Sequence, residues 1–468
     1  MEEENKTGGK KTPLAKKIKA HMTPTRIILL GFMGLILFGT ILFVLPIASK
    51  SGKTIGFVNA LFLATSSVCV TGLTVLDPAT QLTVFGQIVM LFLIQAGGLG
   101  FMTTTTLMLL LVGKKISLRE RMTMQESLAQ DNLKGVVKLT KNILIFTFII
   151  EGFGMLMLMT RFIPSMGAKG IYYALFTAVS AFCNAGFDVF GAEFGEYSSL
   201  MPFASDPVVV ITVACLIILG GLGFIVCSDV FRKKRNKPLS LHSRVALTMT
   251  FSLLLIGTAI FLGVEYKNVG TLGNMSFGEK LLNAFFQSTT SRTAGFSTIN
   301  QGAMTEGSKM ITVILMFIGA SPASTGGGVK TTTLFVMIML LLSVFRDDDE
   351  IVYQKETLNQ KVTRKAGVLI IFAFFVLISQ SLLLWAFESG RNEALSFLDC
   401  VFEAASAFGT VGLTTGITTE LRAISKLTLC LTMFIGRLGP ITLGMAILRK
   451  AKNNKPKIEY PDAKILIG

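Results

Sequence analysis

Four segments of the chain could hand an ion a ring of backbone oxygens. They read Val70-Thr71-Gly72, Asn184-Ala185-Gly186, Thr293-Ala294-Gly295 and Thr410-Val411-Gly412. Ten residues before each glycine stands a Phe (Phe62, Phe176, Phe285, Phe402), and six before it a Ser or Thr (Ser66, Ser180, Thr289, Ser406). Directly after it comes Leu or Phe (Leu73, Phe187, Phe296, Leu413). The glycines lie 114, 109 and 117 residues apart, and recurrence at a near-constant spacing marks an internal repeat. Four equivalent loops can surround one axis. Carbonyl dipoles converging there can replace the water around a monovalent cation without holding it permanently. Thr-Val-Gly, the fourth triplet, is the form such loops take for K⁺. Each loop has a single core glycine where a strict K⁺ filter has two, so we expect a shorter or looser filter with fewer ordered sites.

A second set of motifs lies further on in each repeat. Gly97-Gly98-Leu99-Gly100, Gly220-Gly221-Leu222-Gly223, Gly319-Ala320-Ser321-Pro322 and Gly436-Arg437-Leu438-Gly439 align with one another. Small residues let membrane helices approach closely, and that reading suffices for the first two copies. The third copy lies in a 37-residue apolar stretch, 309–345. As one helix it would be ~55 Å long, against ~30 Å of hydrocarbon. Its run Ala320-Ser321-Pro322-Ala323-Ser324-Thr325-Gly326-Gly327-Gly328 cannot remain continuous helix. Non-helical backbone at that depth must lie within protein or against a water-filled cavity. We therefore expect a loop in the pore under the filter, a gate formed by Gly319, Ser321, Ser324, Thr325, Gly326, Gly327 and Gly328. The stretch Gly326-Gly327-Gly328-Val329-Lys330-Thr331 looks like a nucleotide P-loop, but Val329 separates Gly from Lys and no strand precedes it.

In the fourth copy Arg437 takes the place of Gly98, Gly221 and Ala320, 25 residues beyond Gly412 and so about mid-span. An Arg there costs about 2.5–3.5 kcal/mol to insert. The expected role is a fixed cation in the conduction path, belonging to the same gate. Carbonyls or hydroxyls of Ser321, Ser324 and Thr325 could satisfy its guanidinium. Glu151, inside another span, also needs a partner or water; its role, structural or functional, stays open.

Composition says what must position these residues. Of 468 residues, 51% are hydrophobic and 15% charged, with a mean hydropathy of +0.64; soluble domains carry about 25% charge. The chain reads as an all-α integral membrane protein. The first apolar run, 27–45, is read as a span and not a cleaved leader. A net charge of +16 would suggest nucleic acid in a soluble protein. Here the cations flank spans, which makes them topology signals, and no nucleic-acid partner is expected. The six cysteines show no metal-like spacing and read as free thiols; His21 and His242 lie apart in basic loops, so no transition-metal site is expected. Beyond Glu151 there is no acid, base or nucleophile cluster at membrane depth, so an enzyme is not expected.

The expected organisation is a basic cytoplasmic tail (1–24) and four repeats (25–112, 139–231, 245–345 with the intramembrane gating loop at about 319–330, and 366–450). The linkers 113–138, 232–244 and 346–365 and the tail 451–468 are expected on the same side. Each repeat reads as span, re-entrant pore helix, filter loop, span. The spans are expected near 25–46, 82–112, 139–161, 207–231, 245–265, 309–345, 366–388 and 422–448, with half-helices near 57–68 and 171–183. Five cation-bearing regions then share one side, the cytoplasm by the positive-inside rule. The total is eight spans around one pseudo-fourfold pore, with both termini inside and the filter opening outward.

The four filter loops, the Gly-rich break after Gly319 and the Gly-Arg-Leu-Gly-Pro motif around Arg437 resemble the Trk/Ktr/HKT superfamily of cation transporters. The resemblance covers about 25–450. The chain lacks the extra N-terminal pair of spans of longer members, so within the superfamily it is most similar to KtrB, the ion-translocating membrane subunits of bacterial Ktr potassium uptake systems. The resemblance implies K⁺ uptake at the plasma membrane, Na⁺ as activating ion, a homodimer with one pore per protomer, and a cytosolic ring of KtrA-type RCK nucleotide-binding subunits. No cofactor is implied for this chain, ATP or ADP being expected only on that partner. Members with Ser at the first filter glycine favour Na⁺; all four positions here are Gly, which points to K⁺. A Na⁺-permeable or mixed cation transporter of the same fold is the alternative.

Overall fold

The computed structural model describes residues 23–100, 103–107, 116, 118–127, 135–231, 239–348, 350–390 and 395–439. Its architecture is almost entirely helical; among the described residues the only sheet is the two-stranded hairpin Val352–Tyr353 and Glu356–Thr357. The first helix of each repeat is long and unbroken: α1 (Pro24–Val44), α4 (Val136–Met166), α8 (Leu241–Glu265) and α12 (Gln360–Glu388). They run 21, 31, 25 and 29 residues and all are apolar enough to cross a membrane. Their outward residues, such as Ile41, Phe153, Leu255 and Ile371, are exposed large hydrophobics, as a lipid-facing surface requires.

The re-entrant helices are α2 (Phe57–Cys69), α5 (Lys169–Phe182), α9 (Phe277–Thr290) and α13 (Phe397–Gly409). At 13 or 14 residues they are too short to cross. Capping boxes start two of them, Ser276 with Glu279 and Ser396 with Asp399.

The second helices differ from expectation. Continuous spans at 82–112, 207–231, 309–345 and 422–448 are not what the structure contains. Instead α3 (Val84–Gly98), α6 (Pro207–Leu222), α10 (Glu306–Phe317) and α14 (Ala423–Leu438) all stop at the aligned small-residue motif. In three of them the last residue of the motif has positive φ: Gly100 at 83°, Gly223 at 92° and Gly439 at 80°. Only glycine takes that conformation freely. Beyond Gly223, α7 (Phe224–Phe231) leaves at 100° to α6. In the third repeat a loop of thirteen residues, 318–330, precedes α11 (Thr331–Arg346). The continuations at 108–115 and 440–450 lie outside the described residues.

Packing closes a ring. Each second helix packs on the re-entrant helix of the following repeat: α3 on α5, α6 on α9, α10 on α13, and α14 back on α2. Phe62, Phe176, Phe286 and Phe402 are fully buried in the resulting core.

Candidate cation pathway

The re-entrant helices end in a shared backbone pattern. Val70, Asn184, Thr293 and Thr410 take left-handed φ of 57°, 58°, 72° and 50°, and two residues later Gly72, Gly186, Gly295 and Gly412 have φ of 93°, 69°, 85° and 96°. Left-handed backbone strains a β-branched residue such as Val70. The structure holds it through bonds back to the helix: Thr71 N–H to Ser66 O (2.8 Å), Ala185 N–H to Ser180 O (2.7 Å) and Val411 N–H to Ser406 O (2.8 Å). The third copy is one residue out of register with the sequence pattern. There Ala294 N–H bonds Thr290 O (3.0 Å), and the Thr290 hydroxyl donates to Phe296 O as Ser180 does to Phe187 O. Thr290 and Phe286 thus hold the places assigned from sequence to Thr289 and Phe285.

The four glycines meet. A Cβ on Gly72 would collide with the carbonyl oxygen of Ala185; one on Gly186 would meet that of Ala294, on Gly295 that of Val411, and on Gly412 that of Thr71. Each contact runs to the next repeat, and the last returns to the first. The twelve loop residues expected from sequence are therefore brought together in one closed ring. Behind it sit Leu73, Phe187, Phe296 and Leu413, all buried. The oxygens offered to an ion here are backbone carbonyls and hydroxyls, and the Thr71 and Thr410 hydroxyls are buried with no partner among the described residues. Such a set suits a weakly held alkali cation better than a tightly bound divalent one. At the loops' far end Asp188 lies two residues beyond Gly186. Its carboxylate accepts from Phe190 N–H at 3.1 Å. Burial pushes its pKa up to about 7, against that bond and helped by nearby Asp77.

The 318–330 loop lies directly against the ring on the re-entrant-helix side. A Cβ on Gly326 would collide with the Thr293 hydroxyl, and one on Gly327 with that of Thr410. Thr325 donates its hydroxyl to Phe182 O (3.3 Å) and Asn184 Oδ1 (3.2 Å), while Asn184 Nδ2 donates to the Thr293 hydroxyl (3.2 Å). Ser321 and Thr325 N–H bond Gly221 O and Gly220 O, the carbonyls freed where α6 ends, and Phe224 N–H bonds Ala323 O. The loop folds back on itself, so that a Cβ on Gly319 would collide with Gly327 O. Lys330 Nζ donates to Gly326 O (2.7 Å) and Gly327 O (3.3 Å). Sequence reasoning passed over Lys330 as part of a P-loop lookalike.

Arg437 ties this loop to the first repeat. Its guanidinium donates to Thr325 O, to Gly97 O and, at 3.1 Å, to Gly98 O. The last two are carbonyls at the C-terminal end of α3, where a cation is favoured by the helix dipole. Among the described residues no carboxylate pairs with it. Of the partners expected, only Thr325 serves, through its carbonyl. The Ser321 hydroxyl bonds that of Thr331 (3.0 Å), and the Ser324 hydroxyl is buried without a partner among the described residues.

Glu151 also has a partner that the sequence did not name. Gln95 Nε2 donates to both its oxygens (3.1 and 3.3 Å), and the Cys183 thiol, next to the second loop, donates to Gln95 Oε1 (3.4 Å). All six cysteines are free. Two further charged groups beside the ring were missed. Arg292 is buried before Thr293 and donates to Thr250 O (3.3 Å). Glu403 is buried on α13; a carboxylate amid the apolar residues past that helix's first turn was the signal for it.

Comparison with known proteins agrees with this arrangement. Residues 17–458 match the TrkH family of cation transport proteins. The chain is 40% identical to the Ktr system potassium uptake protein B of Bacillus subtilis over 96% of its own length and 97% of that protein's. It is 39% identical to the potassium/sodium uptake protein NtpJ of Enterococcus hirae over 98% and 100%. It is 38% identical to the Ktr system potassium uptake protein B of Vibrio alginolyticus over 97% of each chain. Its fold matches the crystal structure of the potassium transporter TrkH from Vibrio parahaemolyticus with a TM-score of 0.70, covering 91% and 85% of the two chains at 17% identity. The chain is a transporter and not an enzyme: it belongs to the TrkH family of membrane cation transport proteins.

Proposed function

We propose that this chain carries K⁺ into the bacterial cell across the plasma membrane, with the ring of four glycine loops as its selectivity filter and the 318–330 loop with Arg437 as its gate. The observation that carries the reading is the closure of the ring, each glycine abutting the carbonyl that precedes the next repeat's glycine. A side chain at any of the four would collide with a carbonyl of the ring and displace it. The gate reading rests on Gly326 and Gly327 pressing on Thr293 and Thr410, and on Arg437 fastening Thr325 to the end of α3. The eight crossings, helical or broken, put both termini in the cytoplasm by the distribution of cations. In this reading the protein is a homodimer with one pore per protomer. It is governed by a cytosolic ring of KtrA-type RCK subunits that bind ATP or ADP, and uptake is stimulated by Na⁺. The test is ⁸⁶Rb⁺ uptake into proteoliposomes, with and without Na⁺, together with rescue of a K⁺-uptake-deficient bacterium at low external K⁺. Failure of both in correctly inserted protein contradicts the proposal.

A second reading, a Na⁺-permeable or mixed cation pathway of the same fold, is favoured by one finding. The Enterococcus hirae relative, equally similar, is named a potassium/sodium uptake protein. Na⁺ flux measured in the absence of K⁺ separates the two.

A further inference from the structure

The four loops are not held alike. In the fourth repeat the re-entrant helix α13 grips its loop at two points. Ser406 holds the inner end, accepting Val411 N–H on its carbonyl (2.8 Å) and Gly412 N–H on its hydroxyl (3.0 Å). Glu403, three residues earlier and so on the same face of the helix, holds the outer end. One carboxylate oxygen accepts the Thr414 hydroxyl, the other accepts the Thr418 hydroxyl at 2.9 Å, and the Thr415 N–H also bonds the group. Thr414 in turn accepts Gly416 N–H at 2.9 Å. Glu403 is 0% exposed, and among the described residues no Lys or Arg bonds it.

No other repeat has a carboxylate at this place. The residue after the buried Phe, where the fourth repeat has Glu403, is Leu63 in the first and Thr177 in the second. In the third, whose register is shifted by one, it is Gln287, and its neutral amide ties the loop's outer end through a reciprocal pair with Gln301, at 2.8 and 2.9 Å. A buried carboxylate that accepts several charge-assisted bonds is strongly directional, and here every bond goes to the segment just beyond Gly412. Carbonyl spacing distinguishes one alkali cation from another only if the loops cannot relax around the smaller ion.

We propose that Glu403 is a positioning residue that sets cation selectivity. It does so by clamping the outer end of the fourth filter loop through Thr414 and Thr418. The proposal rests on the ring being the filter, and its test keeps the two claims apart.

The full-length protein in proteoliposomes is assayed for ⁸⁶Rb⁺ uptake with K⁺ or Na⁺ as competitor, giving a selectivity ratio, a KM for K⁺ and a maximal rate. Glu403→Ala is expected to lower the K⁺/Na⁺ ratio by about tenfold, the equivalent of one charge-assisted bond, and to raise KM more than it changes the maximal rate. The pair Thr414→Val with Thr418→Val should shift the ratio in the same direction, and adding Glu403→Ala to that pair should change little further. Glu403→Gln, which keeps an acceptor in place, should recover most of the ratio. Gly412→Ser reads the filter itself in the same assay. If Gly412→Ser alters selectivity while folded Glu403→Ala or the threonine pair leaves it at wild type, the clamp is overturned and the filter stands. If Gly412→Ser also has no effect, the filter reading falls first. Should Glu403→Ala fail to elute as folded protein, the threonine pair decides alone.

Discussion

Arg437 is the residue on which charge and geometry bear most directly. A guanidinium ~4–8 Å from a permeating cation repels it by about 2–4 kcal/mol at an effective dielectric of ~20. Its hydrogen bonds run to backbone carbonyls on two sides, Thr325 on the 318–330 loop and Gly97 and Gly98 at the end of α3, so in the proposed gate it would obstruct by charge and also fasten the loop. Arg437→Gln should raise maximal Rb⁺ flux with little change in K⁺/Na⁺ preference. Arg437→Lys keeps the charge, loses the planar fork and should fall between. Flux normalised to inserted protein checks this; loss of transport in folded Arg437→Gln contradicts it. Asp188 makes a second prediction at this scale. With its pKa pushed up to about 7, it is neutral in acid and becomes charged as external pH rises through neutrality, adding an attraction for cations beside the ring. Initial Rb⁺ uptake at limiting concentration should therefore rise from pH 6 to pH 8, and Asp188→Asn should flatten that rise. An undiminished rise in Asp188→Asn would exclude this group. Arg437 and the filter glycines were legible in the sequence, because a charge at membrane depth and a fourfold glycine spacing both stand out against apolar helix. The guanidinium's carbonyl partners were not, since they exist only because α3 ends where it does.

At the scale of elements, the decisive feature is that every second helix stops at the same aligned motif. Gly97, Gly220 and Gly436 sit against the carbonyl oxygens of Val68, Phe182 and Phe408, and a Cβ at any of them would collide with that backbone atom. Gly220→Ala should therefore cost about 1–3 kcal/mol, as overpacking of a close-packed site does. Gly221→Ala, whose Cβ finds its nearest neighbour at 3.4 Å, should be tolerated. Thermal unfolding in detergent distinguishes them, and equal Tm values would contradict the packing argument. The motif was visible beforehand and its close approach was expected, but not the breaks at Gly100, Gly223 and Gly439. Glycine in a membrane segment serves a helix contact or a helix stop equally well, and only the φ values decide. The slip in the third repeat was hidden for a simpler reason: Phe285-Phe286 and Thr289-Thr290 are doubled residues, so either register fits the pattern. The 318–330 loop was legible, because Pro322 and three consecutive glycines exclude helix at any depth. Removing part of 320–328 should raise flux and weaken dependence on a regulatory partner; unchanged, regulated flux in a folded deletion variant would show that the loop is not the gate.

At the scale of the molecule, sequence periodicity, helix packing and loop contact all describe one ring. The glycines recur along the chain, each second helix leans on the following repeat's re-entrant helix, and the fourth loop closes on the first. A ring whose four glycines each abut a neighbouring loop's carbonyl would discriminate ions by the spacing of its oxygens, so a hydroxymethyl group at any of its four corners should be felt. The most direct measurement is the K⁺/Na⁺ selectivity of Rb⁺ uptake by Gly72→Ser, Gly186→Ser, Gly295→Ser and Gly412→Ser, each reconstituted at equal protein. The ring as filter predicts lower K⁺ affinity or admission of Na⁺ in all four. Wild-type selectivity in all four would contradict it.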